Sequence, residues 1–217
     1  MQFPVICISH TTAAGGETIG QAVAGQLGFR YVDEEIISMA ARLAQVDPAL
    51  VAATERKQPL MQRLLDKLGA AQLAIGAVAL ASGGLHLQSS QRQGATQAPS
   101  DDLRAMIRAA ISAVGKAGNA VIVAHAASMA LAGRPGVLRV LVTAPEETRR
   151  DRLAEDQTLT AAEATDILAK SDQGRRSYFR TFYKLEQELP THYDLVLNTE
   201  VLTPEQVTAL IVFVARN

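Results

Sequence analysis

The stretch from Val5 to Gly20 constrains the fold more than any other part of the chain. An apolar run, Val5-Ile-Cys-Ile, leads into a turn of small residues and then a helical pattern from Gly16. A buried strand that feeds a helix through a glycine turn gathers unpaired backbone N–H groups into one concavity, and such a concavity suits phosphate. The shape of that loop is present. The lysine that usually follows its last glycine is not.

Bulk properties limit what the loop can belong to. With 217 residues, 48% apolar and 20% charged, the chain can bury the core of one domain and carry a mobile subdomain. A net charge of −1 argues against broad attraction to nucleic acid or an anionic membrane. The single cysteine, Cys7, lies inside the first apolar run and reads as a buried structural thiol, so no disulfide framework is expected within the chain. No basic region followed by a long apolar segment marks a secretory signal, which makes the cytoplasm the expected location.

Along the chain, Phe3 to Ser9 reads as a strand apolar on both faces, as at the centre of a helix-covered parallel sheet. Ile19, Val23 and Leu27 fall at i, i+4 and i+8 of a helix that Gly28 stops. Phe29 to Val32 is a second strand ending at Asp33, and Glu34 to Gln45 a helix with Ile36, Ile37, Met39, Ala40 and Leu43 inward. Asp47-Pro48 caps another helical stretch that runs to Ser82, with breaks at Pro59 and Gly69. Residues 68–82 carry no charge, but the run is alanine-rich and includes Gln72 and Gly76. It fits a buried or dimer-forming helix better than a membrane span, which needs about 20 strongly apolar residues. Gly83 to Ser100 is expected to be a mobile loop.

Asp101-Asp102 restart a helix whose apolar stripe is Leu103, Met106, Ile107, Ala110, Ile111 and Val114, up to Gly118. Ala120 to Ala124 and Val137 to Ala144 are the third and fourth strands, with a short helix near Ala127 to Leu131 between them. Pro145-Glu146-Glu147 opens a charged helix, Thr160 to Tyr183 is a long polar one, and Tyr193 to Asn198 is a fifth strand. Thr203-Pro204-Glu205-Gln206 starts the last helix with a hydroxyl cap, proline at the first position and an acid in the first turn. Strands alternating with helices predict an α/β fold: a parallel five-stranded sheet covered on both faces, with its ligand site at the carboxyl ends of the strands.

The order of Ser9 to Gly20, Leu27-Gly28-Phe-Arg-Tyr31-Val-Asp33, Val121-Ile-Val-Ala-His125-Ala, Arg139 to Pro145 with Arg149, Asp172 to Tyr183 and Tyr193 to Thr199 resembles the cytidylate kinase-like family. These are P-loop relatives of the nucleoside-monophosphate kinases. The resemblance extends over nearly the whole chain and is weakest from residue 60 to 100. It implies a single three-layer P-loop NTPase-like domain over residues 1–217, with a helical insertion and mobile loop at 47–100 and a helical lid at 145–183. The implied activity is transfer of the terminal phosphoryl group of ATP, with Mg2+, to CMP or another nucleoside monophosphate. A non-catalytic nucleotide-sensing or assembly module on the same fold is the alternative, and a sugar or small alcohol is a further candidate acceptor.

Phosphoryl transfer depends on positive charge held around the moving group, so the cationic positions decide how well the chain matches. In the ordinary G-x-x-x-x-G-K loop the first glycine falls at His10, the last at Gly15 and the lysine at Gly16. The family's own S-R-x-x-G-S-G-G-R-x-I-G pattern puts its arginines at His10 and Glu17 and its first glycine at Ala13. A third basic position, in the family's G-R-G after the third strand, is His125. The resemblance assigns His10, Thr11, Thr12, Ala13, Ala14, Gly15, Gly16, Glu17, Thr18, His125 and Arg149 to nucleotide binding and Asp33 to Mg2+. It assigns Asp172, Arg175 and Arg176 a catalytic role, in a lid that closes over the phosphates.

Each assignment has a plainer counterpart. Glu17 is also a favourable first-turn acid pointing to solvent, Asp33 a helix N-cap, and the histidines satisfied side chains at strand ends. If His10 and His125 meet at neighbouring strand ends, they allow a pH-sensitive phosphate contact. A solvated charged face is the preferred reading for Arg150 and Arg152. The expected partner is a nucleotide or another phosphate-bearing small molecule, with no nucleic acid and no membrane, and the alanine-rich helix is the candidate homodimer contact.

Overall fold

The computed structural model describes residues 2–33, 98–124 and 127–217, and within the second stretch it describes side chains from Arg108 onward. The helices expected over 34–45 and 47–82, most of the loop expected over 83–100, and His125 lie outside these residues.

Five strands form one parallel sheet in the order β2-β3-β1-β4-β5: β1 (Val5–His10), β2 (Arg30–Val32), β3 (Ala120–Val123), β4 (Val137–Thr143) and β5 (Leu195–Asn198). The central place of β1 follows from its composition. Ile6 and Ile8 pack on one face with Ile19 and Val23, while Val5 and Cys7 pack on the other with Ile111 and Val114. A strand apolar on both faces is stable only between two helix layers. Each isoleucine buried in this way contributes about 1.5–3 kcal/mol. The edge strands β2 and β5 carry mixed patterns, as their half-solvated positions require.

Helices α1 (Gly16–Leu27) and α6 (Pro204–Arg216) cover the first face, and α2 (Ala98–Ala117) with the short α3 (Ala127–Ala130) cover the second. Helix α2 begins at Ala98 rather than Asp101, taking in the last residues expected to be loop. Pro99 permits this, because a proline in the first helical turn lacks an N–H that would have had no intrahelical partner there. The start of α6 matches the expectation, with Thr203 Oγ1 accepting from the Gln206 N–H at 3.3 Å and Gln206 Oε1 accepting from the Thr203 N–H at 2.9 Å.

Helices α4 (Glu146–Gln157) and α5 (Ala161–Tyr183) form an antiparallel pair at the carboxyl end of the sheet, with a small core of Leu153, Ala164 and Leu168. Ala13, in the turn after β1, packs against that core. Among the described residues no helix is long and apolar enough to cross a membrane.

Candidate functional site

The turn after β1 is held from three sides. The Thr11 N–H donates to the Val142 carbonyl of β4 at 3.1 Å, and the Ala14 N–H donates to the Thr11 carbonyl at 3.1 Å. Gly15 then caps α1 at φ +80°, a left-handed conformation that glycine adopts without cost, and no side chain caps the helix. The first-turn N–H groups from Gly16 to Thr18 therefore open onto the space in front of them, as an anion site at a helix N-terminus requires. Ala13 also sits left-handed, at φ +62°, where the family pattern carries its first glycine. A non-glycine residue in that region costs roughly 1–2 kcal/mol.

In front of the loop lies a cleft of about 750 Å³. One wall is the loop itself, His10 and Thr12 to Thr18, joined by Asp33 at the end of β2 and Ala124 after β3. The lining also includes Arg152 and Asp156 from α4, Ser171 from α5, and Thr199 and Pro204 beyond β5. The cleft thus brings together His10, Thr12, Ala13, Ala14, Gly15, Gly16, Glu17, Thr18 and Asp33. Thr11 lies beneath the loop, its hydroxyl 3.4 Å from that of Thr143. His125 lies outside the described residues.

His10 fills the floor of the loop. A Cβ on Gly16 would come within 2.4 Å of the His10 Cβ and Cγ, so the imidazole occupies the space that glycine leaves. Its Nδ1 lies 3.3 Å from the Thr11 carbonyl oxygen, which places the proton of the neutral ring on Nδ1. Burial pushes its pKa down, outweighing the upward pull of the Thr11 carbonyl and Glu17, while Arg175 adds to the depression. The ring is therefore neutral near pH 7, where the family pattern has a permanent cation.

Asp33 and Glu17 act on the same corner. The Tyr31 hydroxyl is pushed up to about 12 by burial first, and then by the Asp33 and Glu17 carboxylates. Glu17 is exposed in the first turn of α1 and lines the cleft, so its position joins the two readings the sequence leaves open.

The lid residues adopt a different arrangement from the one the resemblance implies. Arg149 is buried and closes on Asp172, with Nη1 donating to Oδ1 at 3.1 Å and Nη2 to Oδ2 at 2.7 Å, while its Nε donates to the Ala144 carbonyl at 3.2 Å. Arg175 is also buried, beneath β1. Its Nε and Nη2 donate to Glu188 at 2.7 and 2.6 Å, Nη2 also donates to Ser9 Oγ at 2.7 Å, and Nη1 donates to the His10 carbonyl at 2.9 Å. Tyr193 donates its hydroxyl proton to Glu188. Arg176 is exposed on α5 and does not line the cleft. In this structure Asp172 and Arg175 are thus bracing groups behind the loop.

Arg152 is the cation that sequence reasoning placed on a solvated face, and it lines the cleft instead. Its Nη1 donates to Thr199 Oγ1 at 3.0 Å and its Nη2 to the Thr199 carbonyl at 2.5 Å. Arg150, by contrast, pairs at the surface with its neighbour Asp151. The only sequence signal for the difference is the i, i+3 spacing of Arg149 and Arg152, which puts both on the side of α4 that meets the loop.

Residues 5–201 match the sequence profile of the cytidylate kinase-like family. The chain belongs to that family. It is 24% identical over 207 residues to a cytidylate kinase of Ignicoccus hospitalis, with 95% of this chain and 96% of the relative covered. Among solved structures it superposes on an uncharacterized protein from Eubacterium ventriosum with a TM-score of 0.63 at 15% identity, covering 100% of this chain and 99% of the other. A shikimate kinase from Bacteroides thetaiotaomicron gives a TM-score of 0.52 at 15% identity, with 98% of each chain covered. At these identities the structural matches speak for the fold, which is the P-loop kinase architecture with its sheet, two helix layers and helical lid.

Proposed function

We propose that the cleft binds a nucleotide, its phosphates at the Gly15–Thr18 helix start and its base toward Arg152 and Pro204. On this reading the protein transfers a terminal phosphoryl group from ATP to CMP or another nucleoside monophosphate. The observation that carries the proposal is the cleft itself. An uncapped helix N-terminus with Gly15 in the left-handed region and the Arg152 guanidinium line the same cleft of about 750 Å³. Such a helix start accepts phosphate oxygens through backbone N–H groups, and a planar guanidinium suits the face of a base.

Asp33, Glu17 and Thr18 offer oxygen donors to the loop side of the cleft. That chemistry fits Mg2+, which takes one or two carboxylates and leaves its other positions to substrate phosphates and water. Among the described residues no group of three or more histidine, cysteine, aspartate or glutamate side chains could hold a metal. On this reading the nucleotide phosphates supply the rest of the shell. When bound, Mg2+ would offset phosphate charge that this chain's own cations do not. The protein's share is to hold the phosphates on the α1 start, orient the base and exclude water with α4 and α5.

A second reading, nucleotide sensing without turnover, is favoured by the charges. Glu17 stands where the family pattern has arginine, His10 is neutral, and Arg149 is neutralised by Asp172. Titration calorimetry with ATP, CMP and their Mg2+ complexes, followed by a coupled assay for ADP release over a panel of monophosphates, separates the two. Turnover supports the kinase, tight binding without turnover supports the sensor, and the absence of any binding removes both.

A further inference from the structure

We infer that Thr199 is the positioning residue that holds Arg152 in the cleft and ties it to the phosphate-binding loop. The inference rests on the reading of the cleft as a nucleotide site. Thr199 is buried, and five hydrogen bonds converge on it. Its N–H donates to the Thr143 carbonyl at 2.8 Å, fixing it to the end of β4. Its hydroxyl donates to the Ala14 carbonyl at 3.0 Å, inside the loop, with the Thr143 carbonyl a longer second acceptor at 3.4 Å, and accepts from Arg152 Nη1 at 3.0 Å. Its carbonyl accepts from Arg152 Nη2 at 2.5 Å.

The chemistry of the partner is what matters. Arg149, Arg150 and Arg175 each face a carboxylate, so most of their charge is compensated locally. Among the described residues no carboxylate pairs with Arg152. A hydroxyl and a carbonyl hold its guanidinium without cancelling its charge, leaving an oriented cation in the cleft lining. A long arginine side chain otherwise samples many rotamers, and fixing it beforehand removes that cost from ligand binding. The Ala14 bond adds a geometric tie: the same hydroxyl contacts both the loop and the arginine, so the placement of the arginine relative to the loop is held through one atom.

The test uses the full chain and ADP as the probe. Thr199→Val keeps the shape and removes the hydroxyl, and it should weaken ADP binding about tenfold by calorimetry, the loss expected for one hydrogen bond to a charged group. Thr199→Ser should restore most of that loss, and in an Arg152→Gln background Thr199→Val should cost clearly less affinity than in the wild type, because only the Ala14 tie is then left to lose. Circular dichroism establishes folding, and Thr199→Ala replaces the valine variant if that one does not fold. Wild-type ADP binding left unchanged by loss of the hydroxyl, or fully additive losses in the double variant, overturns the inference.

If the wild-type protein binds no ADP, the nucleotide reading fails separately. The positioning role is then read from the Arg152 Nε–Hε resonance. A resolved signal in the wild type and Thr199→Ser that averages out in Thr199→Val supports it. The same signal in all three overturns it.

Discussion

Substituting Glu188 by Gln removes one charge from the brace beneath the loop while keeping its shape. Arg175 would then be left buried, with Ser9 Oγ, the His10 carbonyl and a neutral amide among its partners. Breaking a buried ion pair by removing one partner costs about 3–5 kcal/mol. The Arg175 side chain is 9% exposed and that of Glu188 18%, so partial access to water places the cost near 3 kcal/mol, at the lower end of that range. In a chain of this size each kcal/mol moves Tm by about 2–4 °C, giving a fall of about 6–12 °C by thermal circular dichroism at pH 7.

The pH dependence follows from the direction of the Glu188 shift. Burial pushes its pKa up, but hydrogen bonds from Arg175 and Tyr193 pull it down further, and the net value lies below the ordinary 4.5. A carboxylate depressed on folding stabilises fully above its unfolded value and loses that contribution as pH falls through the folded one. The Tm gap between wild type and Glu188→Gln should therefore be constant above about pH 5 and narrow below 4.5. The exposed Glu186→Gln serves as control, with a change within about 0.5 kcal/mol. A Tm shift under about 2 °C at pH 7, or a gap that persists unchanged into acid, refutes the brace.

Replacing Glu17 by Arg exchanges an anion for a cation beside the helix start, and ATP affinity should rise about tenfold or more by calorimetry; an unchanged Kd would show that this side chain does not act on the phosphates. Ala13→Gly relieves the left-handed strain at φ +62° but gives up a methyl contact with the Leu153 cluster, so a net gain of about 0.5–1 kcal/mol is expected in chemical denaturation, and destabilisation would refute the strain argument. Gly16→Ala places a Cβ within 2.4 Å of the His10 ring and should destabilise by about 1–3 kcal/mol, whereas the same change in a His10→Ala background should cost under about 1 kcal/mol; equal costs in both backgrounds would contradict the contact.

Much of the fold was legible because it depends on short-range regularities. The five buried residues that begin β1 declare a central strand by composition alone, and the Thr203-Pro204-Glu205-Gln206 start of α6 is a local hydrogen-bond pattern within four residues. Gly15 and Gly28 mark the two ends of α1 because both adopt positive φ there, a conformation that favours glycine. The loop was legible for the same reason, down to Ala13, whose left-handed φ explains why the family pattern carries a glycine. The start of α2 was missed by three residues because Gly, Ser and Gln signal loop by composition, and the tolerance of a first-turn proline outweighed that signal.

The arginines were not legible in this way, because their roles depend on partners far along the chain. Arg149 closes on Asp172, 23 residues on, and Arg152 on Thr199, 47 residues on. Local spacing cannot distinguish them: the two lie one turn apart on the same helix. Helix α4 has little apolar surface to bury beyond Leu153, so packing it against the loop forces an arginine inside, and a buried guanidinium must find a carboxylate. Arg149 meets that requirement through Asp172, and Arg175 through Glu188.

Counting basic residues along the sequence therefore overstates the positive field in the cleft. Among the described residues its lining contains Glu17, Asp33 and Asp156 beside Arg152, with His10 neutral. A cleft with that balance repels a bare triphosphate and tolerates one whose charge is already offset. Nucleotide affinity should consequently rise with Mg2+ by more than in a loop that carries its own lysine, and ATP binding that is equally tight with Mg2+ and with excess chelator would show that the three acids do not govern the site.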